Sequence, residues 1–374
     1  MRIERIELFH IKIPLNFTFK TSQATLKHRE TIIIKGTDEL GNTGYGEVVA
    51  FNEPFYTNET LIDSKDILIN CYIPKLINKE IEHPFHIHKW MDLSYPMALA
   101  GLENTLVDLY ARRNKKSIMD VVFNEETKDH IYGGIVLGDL HIPSLIEQIH
   151  LYKKEGYTRF KIKIKPEDGF IKLKAIREQY PNIQLLVDAN KSYKIEQIKL
   201  LKKLDSLNLL CIEEPLDSGD FLEYEKLQKE MKTPICLDES IQTMDDLKRA
   251  IKLNAFKVVN LKVGRVGGIY YAKEMIQLCR ENHIKYWIGS MVESGISKIL
   301  HVHLGSLKDT CMPGDLSSSK RYFKKDVIKP EIITKNGMIK IPKGHGLGVE
   351  IDEDILKNYT IDYIKISGEQ YEFN

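Results

Sequence analysis

Three carboxylates occupy one repeated position in this chain. Asp188 closes LLVD, Glu213 lies in LCIEE and Asp238 closes ICLD, each after a short apolar run. The interval is 25 residues from Asp188 to Glu213 and 25 from Glu213 to Asp238. A lone charge at a strand end is ordinarily a solvated rim residue. Three in register are another matter, because converging carboxylates raise one another's pKa unless a cation lies among them. The donors are all oxygen, with no Cys or His beside them. That selects a hard ion, Mg²⁺ above all with Mn²⁺ as the alternative, and argues against Zn²⁺. Glu214 and Glu239 directly follow two of these carboxylates. Neighbours on a strand face opposite ways, so Glu214 is expected not to be a ligand, and supporting roles are expected for both. Asn190, two past Asp188, is expected to share its face and support it, with a structural turn as the alternative.

Lysines flank the carboxylates. RFKIKIKP sets Lys161, Lys163 and Lys165 at period two, hence on one side of a strand. Lys163 precedes Asp188 by 25 residues, and Lys262 follows Asp238 by 24. On an edge strand such a lysine face would be solvated, but in a parallel series both faces are covered. Lys165, before Pro166, is expected to be exposed. Close like charges and burial both lower a lysine pKa, which would give a general base near neutral pH. A base on one side, a cation on the other and a metal between suit removal of a proton α to a carboxylate, with the metal holding the enediolate. GRVGG after Lys262 lacks the GK[ST] ending of a phosphate-binding loop and reads as a tight strand-to-helix turn.

The elements that must position these groups follow from the same period. Short apolar runs recur at YGGIV, RFKIKI, IQLLVD, LLCIEE, ICLDE, KVVNLK and IKYWIG, separated by charged stretches of helical length. This is parallel strand–helix text, and charge delivered to one rim by successive strands is the habit of a (β/α)8-type barrel. Residues 1–125 differ: strands at 2–13 and 30–36, a glycine-rich turn in DELGNTGYGE, then helices at 58–78, 95–113 and 117–123. The expectation is an α/β chain with an α+β capping domain (1–125), a modified barrel (126–330) and a C-terminal segment (331–374) that packs back on the cap.

Bulk properties exclude other classes. The chain has 374 residues, 43% hydrophobic and 29% charged, with net charge +1, so no basic field invites nucleic acid. Charges interrupt MRIERIELFHIKIPL, which reads as neither a leader nor a membrane span. Five widely spaced cysteines form no CxxC pair; all but Cys311 lie in or beside apolar runs and are expected to be buried. A reducing, cytoplasmic compartment fits. The expected partner is a small-molecule carboxylate, with no membrane insertion; a homo-oligomer is compatible with the reading.

The set KxK, DAN, IEEP, LDES and NLKxGRVGG resembles the enolase superfamily, muconate-lactonising subgroup. TGYGEVVAFNEPFYTNET, GSMVESGIS, PGDLSSSKRYF and GHGLGVEID extend the likeness to the o-succinylbenzoate synthase/N-acylamino acid racemase family over nearly the whole chain. The resemblance implies that Asp188, Glu213 and Asp238 bind Mg²⁺, that Lys163 abstracts the α proton, and that Lys161 tunes it and helps place the carboxylate. It implies that Lys262 stabilises the enediolate or acts as a second base. It places substrate contacts near Phe19–Ser22, Gly46–Tyr56 and 289–295, with Phe19, Ser22, Tyr56, Ser290 and Met291 as candidates. The activity implied is dehydration of 2-succinyl-6-hydroxy-2,4-cyclohexadiene-1-carboxylate to o-succinylbenzoate in menaquinone synthesis. The alternatives are N-acylamino acid racemisation by the same lysines and a non-catalytic binding barrel. Three departures stand out: Val136 where many relatives carry serine, His345 in place of proline, and Lys165 in place of an acidic residue.

Overall fold

The structure, a computed structural model, describes residues 1–20, 25–368 and 370–373. Alternating apolar residues make the first part a sheet. Strands β1 (Ile3–Lys20), β2 (Thr25–Asp38) and β3 (Thr43–Val48) form an antiparallel meander. Ile6, Leu8, Ile32 and Ile34 are buried in one cluster with Leu102, Leu106 and Leu109. Helices α1 (Leu61–Ile67), α2 (Pro96–Arg113) and α3 (Ile118–Val122) follow. Reciprocal side-chain caps, Thr60 with Asp63 and Ser117 with Asp120, start α1 and α3. The expected first helix is shorter than its text, and a 3-10 turn at Pro84–Lys89 is an addition.

Past the short strand β4 (His130–Tyr132), each of the seven apolar runs becomes a strand: β5 (Gly134–Leu137), β6 (Arg159–Lys163), β7 (Gln184–Asp188), β8 (Ile212–Glu213), β9 (Ile235–Leu237), β10 (Val258–Leu261) and β11 (Lys285–Ile288). They pair in parallel and in sequence order. The main helices are α4 (Ile142–Lys154), α5 (Gly169–Gln179), α6 (Ile198–Lys203), α7 (Phe221–Glu230), α8 (Met244–Lys252), α9 (Ile269–Glu281) and, after β11, α10 (Gly295–Gly305).

Among the described residues the sheet has no eighth regular strand; an irregular segment does its work. Cys311 N donates to Tyr286 O at 3.0 Å, and Gly134 N donates to Leu316 O at 3.0 Å. Residues 311–316 therefore bridge β11 to β5. The approach is close enough to require glycine. A Cβ on Gly134 would lie 2.5 Å from Gly314 O, and one on Gly314 would lie 2.3 Å from Ile288 O.

The remaining chain divides. Strands β12 (Ile328–Lys329) and β15 (Glu350–Ile351) pair together, and β13 (Thr334–Lys335) and β14 (Met338–Lys340) join β4. After α11 (Glu353–Tyr359), strands β16 (Thr360–Ser367) and β17 (Gln370–Phe373) extend the cap sheet beside β1. So the C-terminal segment meets the cap from Gly346 onward, where Gly346 O accepts from Ile118 N, Leu347 N donates to Asp108 and Glu353 accepts from Tyr45 OH, while β13 and β14 stay with the barrel through β4. All five cysteines are free; Cys211, Cys236 and Cys279 are buried, whereas Cys71, expected to be buried, is half-buried. Among the described residues no helix is long and apolar enough to cross a membrane.

Gly314→Ala should force the bridging segment off Ile288 and cost about 1–3 kcal/mol, the usual range for overpacking. Urea unfolding checks this: an unchanged midpoint would mean that the closure tolerates a side chain.

Candidate active site at the barrel mouth

Period-two alternation places a plug beneath the chemistry. Leu186, Cys211, Cys236, Val258 and Trp287 form one buried cluster. Two residues further along four of those strands come Asp188, Glu213, Asp238 and Asn260. Lys163 pairs in register with Asp188, and Asp188 with Glu213. Asp238 stands just past β9 and Lys262 just past β10.

Cations interleave these carboxylates. Lys161 Nζ lies 3.1 Å from Glu213, 3.6 Å from Asp188 and 2.6 Å from Asp315. Lys163 Nζ donates to Asp188 Oδ2 and Asn190 Oδ1, both at 2.6 Å. Lys262 Nζ donates to Asp238 Oδ2 at 2.7 Å and to the Tyr56 hydroxyl at 2.8 Å. Arg265 also donates to Asp238 and Tyr56. Asn260 Nδ2 donates to Glu213 Oε1 at 2.8 Å. No group of three or more His, Cys, Asp and Glu among the described residues stands in metal-holding positions; ammonium groups lie against all three carboxylates instead.

These contacts set the electrostatics. Burial, and then the Asp188 charge, push Glu213 well above the usual carboxylate range. Burial also works against ionised Asp238, but Lys262 and Arg265 outweigh it and hold the carboxyl low. Lys161 runs opposite to the lowering expected of an inward-facing lysine, whereas Lys262 stays the cation expected on the far side of the carboxylates. Burial lowers the pKa values of Lys161 and Lys262, but Asp315 and Glu213 on the first and Asp238 on the second raise both above the ordinary value. Spacing along the chain shows lysines beside one another but not the carboxylates bonded to them.

The supporting residues separate as follows. Asn190 joins Lys163 to Glu239, donating to Glu239 Oε1 at 2.9 Å. Glu239 Oε2 is buried with no hydrogen-bond partner, and burial with the Asp238 charge pushes its pKa up to about 7. Glu214 turns away, accepting from Asp238 N at 2.8 Å and Tyr224 OH at 2.9 Å. Lys165 is exposed and pairs with Asp139 at 2.7 Å.

A cavity covers the mouth. Phe51, Phe55 and Tyr56 line it from the cap, with Ser290, Met291 and Tyr322 from the barrel; Val136 reaches it as well. Tyr56 is part of the ion network as well as the wall. Ser22 and the Phe19 side chain lie outside the described residues. His345 is exposed and does not line the cavity.

Asp315, Arg265 and Lys191 are among the residues at this site that the sequence did not single out; Asn260 and Arg159 are others. Asp315 takes Lys161 and Arg159, each at 2.6 Å, and those cations hold its pKa to about 2 against the effect of burial. Its signal in the sequence is PGDLSSS, which carries part of the family likeness. Arg265 lay within the quoted GRVGG. Lys191, after Asn190, lines the cavity as a further cation.

Residues 144–355 match the model of the enolase C-terminal domain-like family. The chain is 41% identical to an o-succinylbenzoate synthase of Bacillus subtilis (strain 168), covering 96% of this chain and 97% of that protein. It is 33% identical to an N-succinylamino acid racemase of Thermus thermophilus, covering 96% and 98%. A crystal structure of an enolase superfamily member from Listeria innocua superposes with TM-score 0.94 at 34% identity, covering 98% and 99%.

Asp315→Ala would leave Lys161 and Arg159 short of a buried partner. A loss of about 3–5 kcal/mol is expected, as for one side of a buried ion pair; a denaturant midpoint within about 0.5 kcal/mol of the parent would show that other groups absorb the charge.

Proposed function

We propose, because the chain belongs to the enolase superfamily, that its barrel mouth removes a proton next to a substrate carboxylate. The chain is an enzyme, a lyase that dehydrates 2-succinyl-6-hydroxy-2,4-cyclohexadiene-1-carboxylate to o-succinylbenzoate. Our reading gives it a cytoplasmic place in menaquinone synthesis.

The observation that carries the chemistry is the pair of lysines, Lys163 against Asp188 and Lys262 against Asp238. Asp188, Glu213 and Asp238 would hold Mg²⁺. Their donors are all oxygen, Glu213 is raised by burial and by Asp188, and Glu239 leaves an unpartnered buried oxygen beside them. Each feature favours a cation there. When bound, the ion would supply positive charge to the substrate carboxylate.

Lys163 then takes the ring proton α to the carboxylate, and its C–H electron pair passes into the carboxylate as an enediolate. Lys262 faces that developing charge with its ammonium, and Lys161 orients the same carboxylate. The neighbouring C–O bond breaks as Lys163 returns its proton to the departing hydroxyl, so water leaves and the ring becomes aromatic. One lysine acting as base and then acid confines both events to one face of the ring. Phe51, Phe55 and Met291 give the ring apolar walls, and Asn190 fixes Lys163.

With Mg²⁺, the purified protein should convert the cyclohexadiene acid to o-succinylbenzoate, and removal of divalent ions should stop it. Lys163→Ala should lower kcat by about 10²–10⁴-fold while Mg²⁺ still binds by calorimetry. Retained activity would remove the base assignment. Rapid deuterium exchange into N-succinylamino acids without dehydration would favour the racemase reading instead.

A further inference from the structure

The glycines after Lys262 do more than turn the chain. The turn itself is present: Val266 N donates to Lys262 O at 3.2 Å and Gly268 N to Val263 O at 3.0 Å. Its outer side, however, is pressed against the cap. A Cβ on Gly264 would lie 2.2 Å from Val49 Cγ2, one on Gly267 2.3 Å from Leu93 Cδ2, and one on Gly268 2.3 Å from Glu103 Oε2. All three neighbours belong to the cap. The GRVGG loop is thus the surface on which the cap seats.

Glu103 makes the most specific of these contacts. Helix α9 starts at Ile269, and Gly268 before it supplies no side-chain cap. Glu103, fully buried on α2, supplies one from across the boundary. Its Oε1 accepts from Tyr270 N at 2.9 Å, and its Oε2 pairs with His88 Nε2 at 2.6 Å. The His88 ring stacks on Tyr270 with centroids 4.7 Å apart. A carboxylate at a helix N-terminus satisfies free N–H groups and meets the positive end of the helix dipole. The loop held this way begins with Lys262, whose Nζ reaches both Asp238 and the cap's Tyr56.

We propose that Glu103 is a positioning residue for Lys262: by capping α9 from the cap domain, it fixes the Lys262–Gly268 loop and ties the ammonium's place to the seating of the cap. This rests on Lys262 acting at the reacting carboxylate, as read above. A group held through one helix start is sensitive to small shifts, and a displacement near 1 Å at a catalytic group can cost about 10²-fold in rate.

The test compares Glu103→Ala and Glu103→Gln with the parent, all loaded with Mg²⁺. Glu103→Ala should lower kcat about 10- to 100-fold with KM within about threefold, and should raise the isotope effect for substrate deuterated at the α carbon. Glu103→Gln, whose amide oxygen can still accept from Tyr270 N, should recover most of the rate. Amide exchange should rise about tenfold over 262–270 in Glu103→Ala and stay unchanged in β10. Unchanged loop exchange overturns the proposal. So does a lower rate with an unchanged isotope effect, which would mean only that fewer molecules are folded. If the parent makes no o-succinylbenzoate, the assigned reaction fails, and the clamp is still decided by the loop exchange.

Discussion

Four carboxylates, Asp188, Glu213, Asp238 and Asp315, are almost wholly buried in one barrel interior. At an effective dielectric constant near 20, two such charges 4 Å apart repel by about 4 kcal/mol. Much of the architecture answers that repulsion. Lys161 touches three of the four, Lys262 and Arg265 take Asp238, and Arg159 takes Asp315. Cations so deep need an interior that can accept them. Trp287 presents its ring at 4.8 Å to Arg159 and 5.1 Å to Lys161, contacts that favour charge over an aromatic face. The network also ties barrel closure to the buried charges, because Asp315 arrives on the bridging segment 311–316.

How much of this was legible depended on whether the signal was periodic. The seven strands were, because each is an apolar run followed by helical text, and the 25-residue interval carried Lys163, Asp188, Glu213 and Asp238 to one rim. The bridging segment was not, because CMPGDL has no apolar run; its signal is glycine at Gly134 and Gly314, where backbones meet too closely for any side chain. Asp315 was lost with it. The electrostatics of Lys161 were hidden for a related reason. Spacing gives neighbours along the chain, but the sign of a buried lysine's shift depends on which carboxylate it touches across strands. The C-terminal segment was half legible: its strand text was plain, but its partner strands, β4 for one part and β1 for the other, are set by tertiary pairing.

The glycines after Lys262 illustrate the limit most sharply. Read along the chain, GRVGG is a turn, and the turn exists. Read in three dimensions, Gly264, Gly267 and Gly268 are the places where Val49, Leu93 and Glu103 come too close for a Cβ. Gly267 and Gly268 also take φ of +97° and +119°, which their own turn requires, and nothing in the local sequence reveals the second demand that the cap makes on them.

That junction explains how one chain can separate chemistry from recognition without letting them drift apart. The barrel supplies the charges, on strands whose register is fixed by the sheet. The cap supplies much of the wall, Phe51, Phe55 and Tyr56, on a segment that could vary without disturbing the strands. Such a division works only if the two parts keep a fixed relation, since a wall displaced by an ångström would change the shape of the cavity over Lys163. Tyr56 answers this directly, because its hydroxyl accepts from both Lys262 and Arg265. The wall residue and the cationic groups are thereby one unit, and the cap cannot lift from the mouth without breaking the Tyr56 bonds to Lys262 and Arg265.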